Sequence, residues 1–197
     1  MSSEKNAEYW NKILHEIIDK YVSIGHTGLS ENQYYIDLSV LHQLMQQLKC
    51  TLPDLMLTYI CGVDYPAKDN RFEVIYQLLS LTLNMRLTFK VILLEGEIMD
   101  SIVDIFPNSG WYEREIWDMY GVLFQGNPDM RRILTDYGFV GHPMKKDFPL
   151  TGYIEVSYNR LKGNVEYTNI ELQQDFRNFS NISNWNILHG DEKANRD

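Results

Sequence analysis

Three carboxylates crowd one short stretch, WYEREIWDMYG at 111–121: Glu113, Glu115 and Asp118. On a helix, Glu115 and Asp118 would share a side at i, i+3, as would Glu113 and Trp117 at i, i+4. Paired carboxylates at that spacing suit general acid–base work or a divalent cation. Arg114 stands among them as a ready counter-ion, and neither a nucleophile nor an HExxH motif accompanies them. The cluster therefore reads first as ion-pair or interface residues. The competing reading is a free-standing hydrolase or metal enzyme using Glu113, Glu115, Asp118 and His142.

A second dense stretch is DYGFVGHPMKKDFPLTG at 136–152. His142 has Asp136 and Asp147 nearby in sequence, a set that could ligate a metal. The remaining histidines, His15, His26, His42 and His189, lie elsewhere without ligand spacing. The glycines of GFVG at 138–141 do not extend to a GxxxxGK[ST] or GxGxxG pattern, so phosphate cradling fails at the motif level. Arg131, Arg132, Lys145 and Lys146 are the best basic candidates, but acids are interleaved with them, as at an interface. Gly and Pro exclude a regular helix or central strand here. The apolar Tyr137, Phe139, Val140, Phe148 and Leu150 nonetheless call for something to bury them.

The elements that must position these groups are legible upstream. Tyr9, Trp10, Ile13, Leu14, Ile17, Ile18 and Tyr21 recur at helical spacing over 8–22. After a break at Gly25 to Gly28, 33–38 is a short strand candidate. Ser39 is placed to cap a helix whose face is Val40, Leu41, Leu44, Met45 and Leu48. The segments 55–63, 72–81 and 85–93 are strand-like, the last two by alternation, which predicts an antiparallel meander covered on one face by the two helices. A short helix is expected at 102–106, a longer one at 111–120 ending before Gly121, and at best one extended segment at 153–158.

The fold class expected is α+β, a small mixed or antiparallel sheet covered by helices with a long aperiodic C-terminal arm. The division expected is an α+β domain over 1–120 and an arm over 121–197 that docks on partner subunits, because a long stretch without a repeating apolar face cannot readily form its own core.

Composition sets the outer limits. The 197 residues are 44% hydrophobic and 23% charged with net charge −9. No basic island invites nucleic acid or anionic lipid. Cys50 and Cys61 are the only cysteines, too few for a four-thiolate zinc or iron–sulfur site held by this chain alone, and they read as reduced, buried thiols. The N-terminus MSSEKNAEYWNK reads as neither a secretory signal nor a transit peptide. Three alanines against 15 asparagines and 17 isoleucines suggest an AT-rich genome, such as many organelles have.

Glu113 to Val122 (EREIWDMYGV), Pro128 to Phe139 (PDMRRILTDYGF) and Gly141 to Tyr153 (GHPMKKDFPLTGY) together closely resemble the 30-kDa subunit of respiratory complex I, NADH:ubiquinone oxidoreductase. Bacteria have it as their C subunit, and the mitochondrially encoded form is subunit 9. The resemblance extends through 63–66, 101–107, 155–156, Phe176, Arg177 and Trp185. Two positions depart from the family pattern: Asn127 replaces a usual His, and Lys145 a usual Arg.

The resemblance implies a small α+β sandwich with an extension that wraps neighbouring subunits. It implies a structural role in the peripheral arm, beside the 49-kDa subunit of the quinone cavity and the iron–sulfur subunits. It implies that FMN, iron–sulfur clusters, ubiquinone and NADH belong to the complex and none to this chain. The location implied is the matrix side of the mitochondrial inner membrane, or the cytoplasmic face of a bacterial membrane. Glu113, Arg114, Glu115, Asp118, Arg131, Arg132, Asp136, Tyr137, His142, Lys145, Lys146, Asp147 and Phe148 become candidates for the subunit interface. A binding module of a related hydrogenase-type complex would share the fold.

Overall fold

The computed structural model describes residues 2–21, 32–174 and 177. The Gly25 to Gly28 break and the positions Phe176 and Trp185 lie outside the described residues. The chain forms two compact units, Met1–Leu150 and Thr151–Asp197.

In the first unit, α1 (Ser2–Tyr21) turns Leu14, Ile17 and Ile18 inward and leaves Lys12, Glu16, Asp19 and Lys20 in solvent. It packs on α2 (Leu41–Thr51), whose buried face is Leu41, Leu44, Met45 and Leu48, and Tyr21 donates across the seam to Gln47 at 2.7 Å. This is the helical spacing read from the sequence. Ser39 does not cap α2. It sits inside a 3-10 turn, Leu38–Val40, closed by Val40 N–H to Asp37 O at 3.2 Å, and no side-chain hydrogen bond caps the helix. The extra turn moves the helix start past the serine.

Beneath the helices lies a four-stranded mixed sheet in the order β1-β4-β3-β2. The strands are β1 (Gln33–Ile36), β2 (Met56–Asp64), β3 (Phe72–Ser80) and β4 (Met85–Leu93). The β2–β3–β4 meander is antiparallel, and β1 joins β4 in parallel. Alternation places Tyr34, Ile36, Val74, Tyr76, Leu78, Leu87, Phe89 and Val91 in the core, and a register shift in β2 between Leu57 and Tyr59 lets both Leu57 and Ile60 join them. The burial expected of both thiols is not found, since Cys50 is exposed and Cys61 only half-buried. Burying a side chain such as Leu or Phe contributes about 1.5–3 kcal/mol. Tyr76 carries a hydroxyl into this core, where burial first, and the Glu113 charge second, hold the phenol well above its ordinary range and therefore neutral.

Two further strands escape the periodicity reading. Strand β5 (Ile98–Asp100) pairs in parallel with β6 (Leu123–Gln125), burying Met99 opposite Phe124. Three residues are too few to show a period. The expected helix at 102–106 is a single turn, in which Ile105 and Phe106 donate to Ile102 O, and Pro107 follows. Helix α3 (Ser109–Tyr120) begins two residues earlier than expected and ends at Gly121, whose φ of 83° is a left-handed cap that donates to Trp117 O at 2.8 Å.

The second unit holds a hairpin, β7 (Ile154–Asn159) antiparallel to β8 (Asn164–Asn169). The extended segment expected near 153–158 thus has a partner strand. Among the described residues no helix is long and apolar enough to cross a membrane.

Candidate functional site

The acids of α3 do not act as a cluster. Glu113 and Asp118 point into the protein and are fully buried, whereas Glu115 is exposed. The i, i+3 expectation that Glu115 and Asp118 share a face is corrected by what packs on the helix: a loop covers the flank that bears Asp118 and leaves Glu115 in solvent.

Glu113 accepts from Ser101 Oγ at 2.7 Å, Ile102 N–H at 3.0 Å and Asn127 Nδ2 at 2.9 Å. One carboxylate thereby joins α3, the end of β5 and the segment after β6. No cation pairs with it among the described residues, so these donors alone offset the cost of burying its charge.

Asp118 gathers the loop 131–135. Its Oδ2 accepts from the backbone N–H groups of Ile133, Leu134 and Thr135 at 3.1, 2.8 and 2.9 Å. Its Oδ1 accepts from Thr135 Oγ1 and from Arg132 Nη1, the latter at 2.7 Å. Burial alone would raise this carboxyl's pKa. The bonds from Thr135, Leu134 and Arg132 outweigh burial and hold it well below the usual carboxylate range.

Arg132 continues to Gly141 O at 3.0 Å and lies over the rings of Trp117 and Phe139. Arg114 donates to Arg131 O at 2.9 Å and rests on Trp111. Arg131 itself is exposed and pairs with Asp129.

Further along, the loop folds back on α3. His142 Nδ1 lies 3.0 Å from Asp118 O, and Met144 N–H donates to Met119 O at 3.0 Å. Gly121 and Gly141 both have positive φ, and a Cβ at either would stand under 3.0 Å from a ring, that of His142 and Phe148 respectively. Phe148 in turn contacts Phe139.

The loop is then latched to the sheet. Arg71, just before β3, holds buried Asp64 through two bonds of 2.7 and 3.0 Å, Asp147 at 2.7 Å and Glu95 at 2.9 Å. Lys145 reaches Glu95 at 2.7 Å, and Lys146 N–H donates to Asp64 at 2.7 Å. The Arg71 bond, and lesser contributions from Lys146 N–H, hold the Asp64 carboxyl below its usual range against burial.

Thus Glu113, Arg114, Asp118, Arg132, His142, Lys145 and Asp147 are each committed to partners within the first unit, and Lys146 contributes its backbone. Tyr137, 82% exposed, and Glu115 remain open to a partner. Asp136 accepts from Tyr137 N–H at 2.8 Å. Asp136, His142 and Asp147 do not converge, and among the described residues no three His, Cys, Asp or Glu side chains could together hold a metal. Sequence reasoning missed Arg71, Asp64, Glu95, Asn127 and Thr135 as members of this network. The resemblance at 63–66 touched Asp64, but nothing local marked Arg71.

Residues 34–154 match the family model described as respiratory-chain NADH dehydrogenase, 30 Kd subunit. The chain is 47% identical over 179 residues to the C subunit of NADH-quinone oxidoreductase from Rhizobium rhizogenes, covering 89% of this chain and 86% of that relative. It is 52% identical over 142 residues to the protein of the same description from Paramagnetospirillum magneticum, covering 71% of each. Among solved structures, a chain of the membrane-bound sulfane sulfur reductase, an archaeal respiratory membrane complex, superposes with a TM-score of 0.60 at 24% identity, over 72% of this chain and 86% of that one. At that identity the likeness concerns the fold.

Proposed function

Because this chain belongs to the 30-kDa subunit family of respiratory-chain NADH dehydrogenase, we propose that it serves its complex as a structural subunit of the peripheral arm and supplies no catalytic group. The observation that carries this is the state of the α3 carboxylates. Glu113 and Asp118 are turned inward with their oxygens occupied by protein donors. A general base or metal ligand needs an oxygen available to substrate or cation. These oxygens instead fix a loop path, which is what a docking surface of defined shape requires.

Its partners are other subunits of the complex. In this reading the nearest is the 49-kDa quinone-site subunit, with iron–sulfur subunits adjoining, and FMN, iron–sulfur clusters, ubiquinone and NADH are bound by those partners. The location follows the complex: peripheral, on the matrix side of the mitochondrial inner membrane or the cytoplasmic face of a bacterial one. The functional division lies at residue 120. The segment 1–120 forms the platform, and 121–197 carries the contacts, first as the loop laid on α3 and the sheet end, then as the second unit.

Purification of the tagged chain in mild detergent tests the reading. A large NADH-oxidising, quinone-reducing assembly should accompany it in fixed stoichiometry. Recovery of the chain alone from cells that respire through such an assembly would refute the proposal.

A further inference from the structure

The two attachments of the long loop differ in kind. Residues 131–144 are pinned to α3 by bonds that end on buried groups. Asp118 holds Arg132, Ile133, Leu134 and Thr135, the His142 ring meets Asp118 O, and Met144 N–H reaches Met119 O. Lifting this part would strand the Asp118 carboxylate and the Arg132 guanidinium, whose side chains are 0% and 14% exposed, at a large cost.

The next three residues, Lys145, Lys146 and Asp147, form a short arc over the end of the sheet. Its flanks are fixed: Met144 by the bond to α3, and Phe148 by its ring, which lies on Gly141 and Phe139. The side-chain bonds of the arc each have one end in water. Glu95, 52% exposed, takes Lys145 at 2.7 Å, and Asp147, 62% exposed, takes Arg71 at 2.7 and 3.2 Å. Only the Lys146 N–H, 2.7 Å from Asp64, ends on a buried atom.

What the arc covers is complete without it. Arg71 keeps Asp64 through Nε and Nη2 and keeps Glu95 through Nη1. The two charges that would leave the network, Lys145 and Asp147, are opposite in sign. Opening therefore strands no buried charge, unlike any movement at Asp118. Ion pairs with a solvent-exposed member are also worth little singly and are screened by salt, whereas buried pairs are screened much less.

We propose that 145–147 is an ionic clasp, an arc that unhooks from the sheet end as ionic strength rises while 131–144 stays seated on α3. Opening admits water to the Asp64–Arg71 pair and removes one fixed patch from the surface of the first unit. Ionic strength thereby sets how often that end of the sheet is covered. The clasp belongs to the chain itself, so it stands or falls apart from the subunit reading.

Residue-resolved amide hydrogen exchange of the full-length chain, followed by NMR at low and high NaCl, tests this. Between about 0.01 M and about 1 M salt the screening length falls from roughly 30 Å to about 3 Å. The protection factor of the Lys146 N–H should drop roughly three- to tenfold over that range, as for the loss of one or two exposed pairs. Those of Ile133, Leu134, Thr135 and Met144 should change by less than about twofold, because their acceptors belong to the pinned part. In the double variant Glu95→Gln, Asp147→Asn, Lys146 should show the low protection of the salt-treated wild type at both salt concentrations, with the amides of 131–144 as protected as before.

Equal Lys146 protection at low and high salt in the wild type overturns the clasp. So does a loss at Lys146 matched by Ile133 and Leu134, which means that the whole loop detaches at once, or a double variant whose Lys146 N–H still responds to salt. The wild-type series needs no substitution and decides the question by itself.

Discussion

Arg132 and Asp118 meet at 2.7 Å with side chains only 14% and 0% exposed. Around that pair the loop 131–142 is hung on α3. A buried pair of this kind adds little over an apolar substitute, but removing one partner strands the other, at a cost of about 3–5 kcal/mol.

Asp118→Ala should therefore lower the unfolding free energy of the full-length chain by roughly 3–5 kcal/mol, since Arg132 and the N–H groups of Ile133, Leu134 and Thr135 lose their acceptor together. Urea denaturation followed by tryptophan fluorescence measures this. A loss below about 1 kcal/mol would mean that the loop is held by other contacts.

The two adjacent arginines should separate. Arg132→Ala is expected to destabilise the chain by about 2–3 kcal/mol, whereas Arg131, whose side chain is 69% exposed, should leave stability within ~0.5 kcal/mol when replaced by Ala. Arg131→Ala is the cleaner probe of subunit association. Paired denaturation curves and co-purification yields distinguish the two effects.

Acid should loosen the loop in a defined direction. The Asp118 and Asp64 carboxyls are held below their ordinary range in the folded chain, so their stabilisation is full above the unfolded pKa of about 3.9. It is lost as pH falls from there through the lower folded values. Stability from these groups should be flat between neutrality and about pH 5 and decline below about pH 4. Asp118→Asn should flatten part of that decline, read from urea midpoints at successive pH values.

Gly121→Ala tests the close approach at the end of α3. The position has φ 83°, and its added Cβ would stand 2.8 Å from the His142 ring, which is itself held against Asp118 O. A loss of about 1–3 kcal/mol is expected. Gly138→Ala, with no atom within 4 Å of its Cβ, should be near neutral and serves as the control by differential scanning calorimetry.

Much of the platform was legible because its residues repeat. Leu41, Leu44, Met45 and Leu48 announce α2, and Leu87, Phe89, Val91 and Leu93 announce β4, each by a local period that burial then confirms. Strands β5 and β6 are too short for any period, and the parallel addition of β1 depends on chain topology. The site was half legible. Its acids stood out by type, but their direction is decided by the loop that packs on α3. That loop lacks a repeating apolar face because its attachment is polar, through Asp118, Asp64 and Arg71, and hydropathy patterns cannot register such bonds. Arg71 stayed hidden because a pairing with Asp64, seven residues before it across a turn, has no period to announce it, and its further partners Glu95 and Asp147 are 24 and 76 residues away.

That distance has a consequence for how the protein is made. Asp64 waits for Lys146, 82 residues later, and Arg71 for Asp147. At about 5–20 residues per second on the ribosome, β2 and β3 emerge several seconds before the segment that neutralises and caps their shared end. During that interval the buried Asp64 carboxylate and the Arg71 guanidinium have only each other, the earlier-made Glu95 and water. The first unit is thus completed by nearly its last residues, and the ordered surface it offers comes into being late in synthesis.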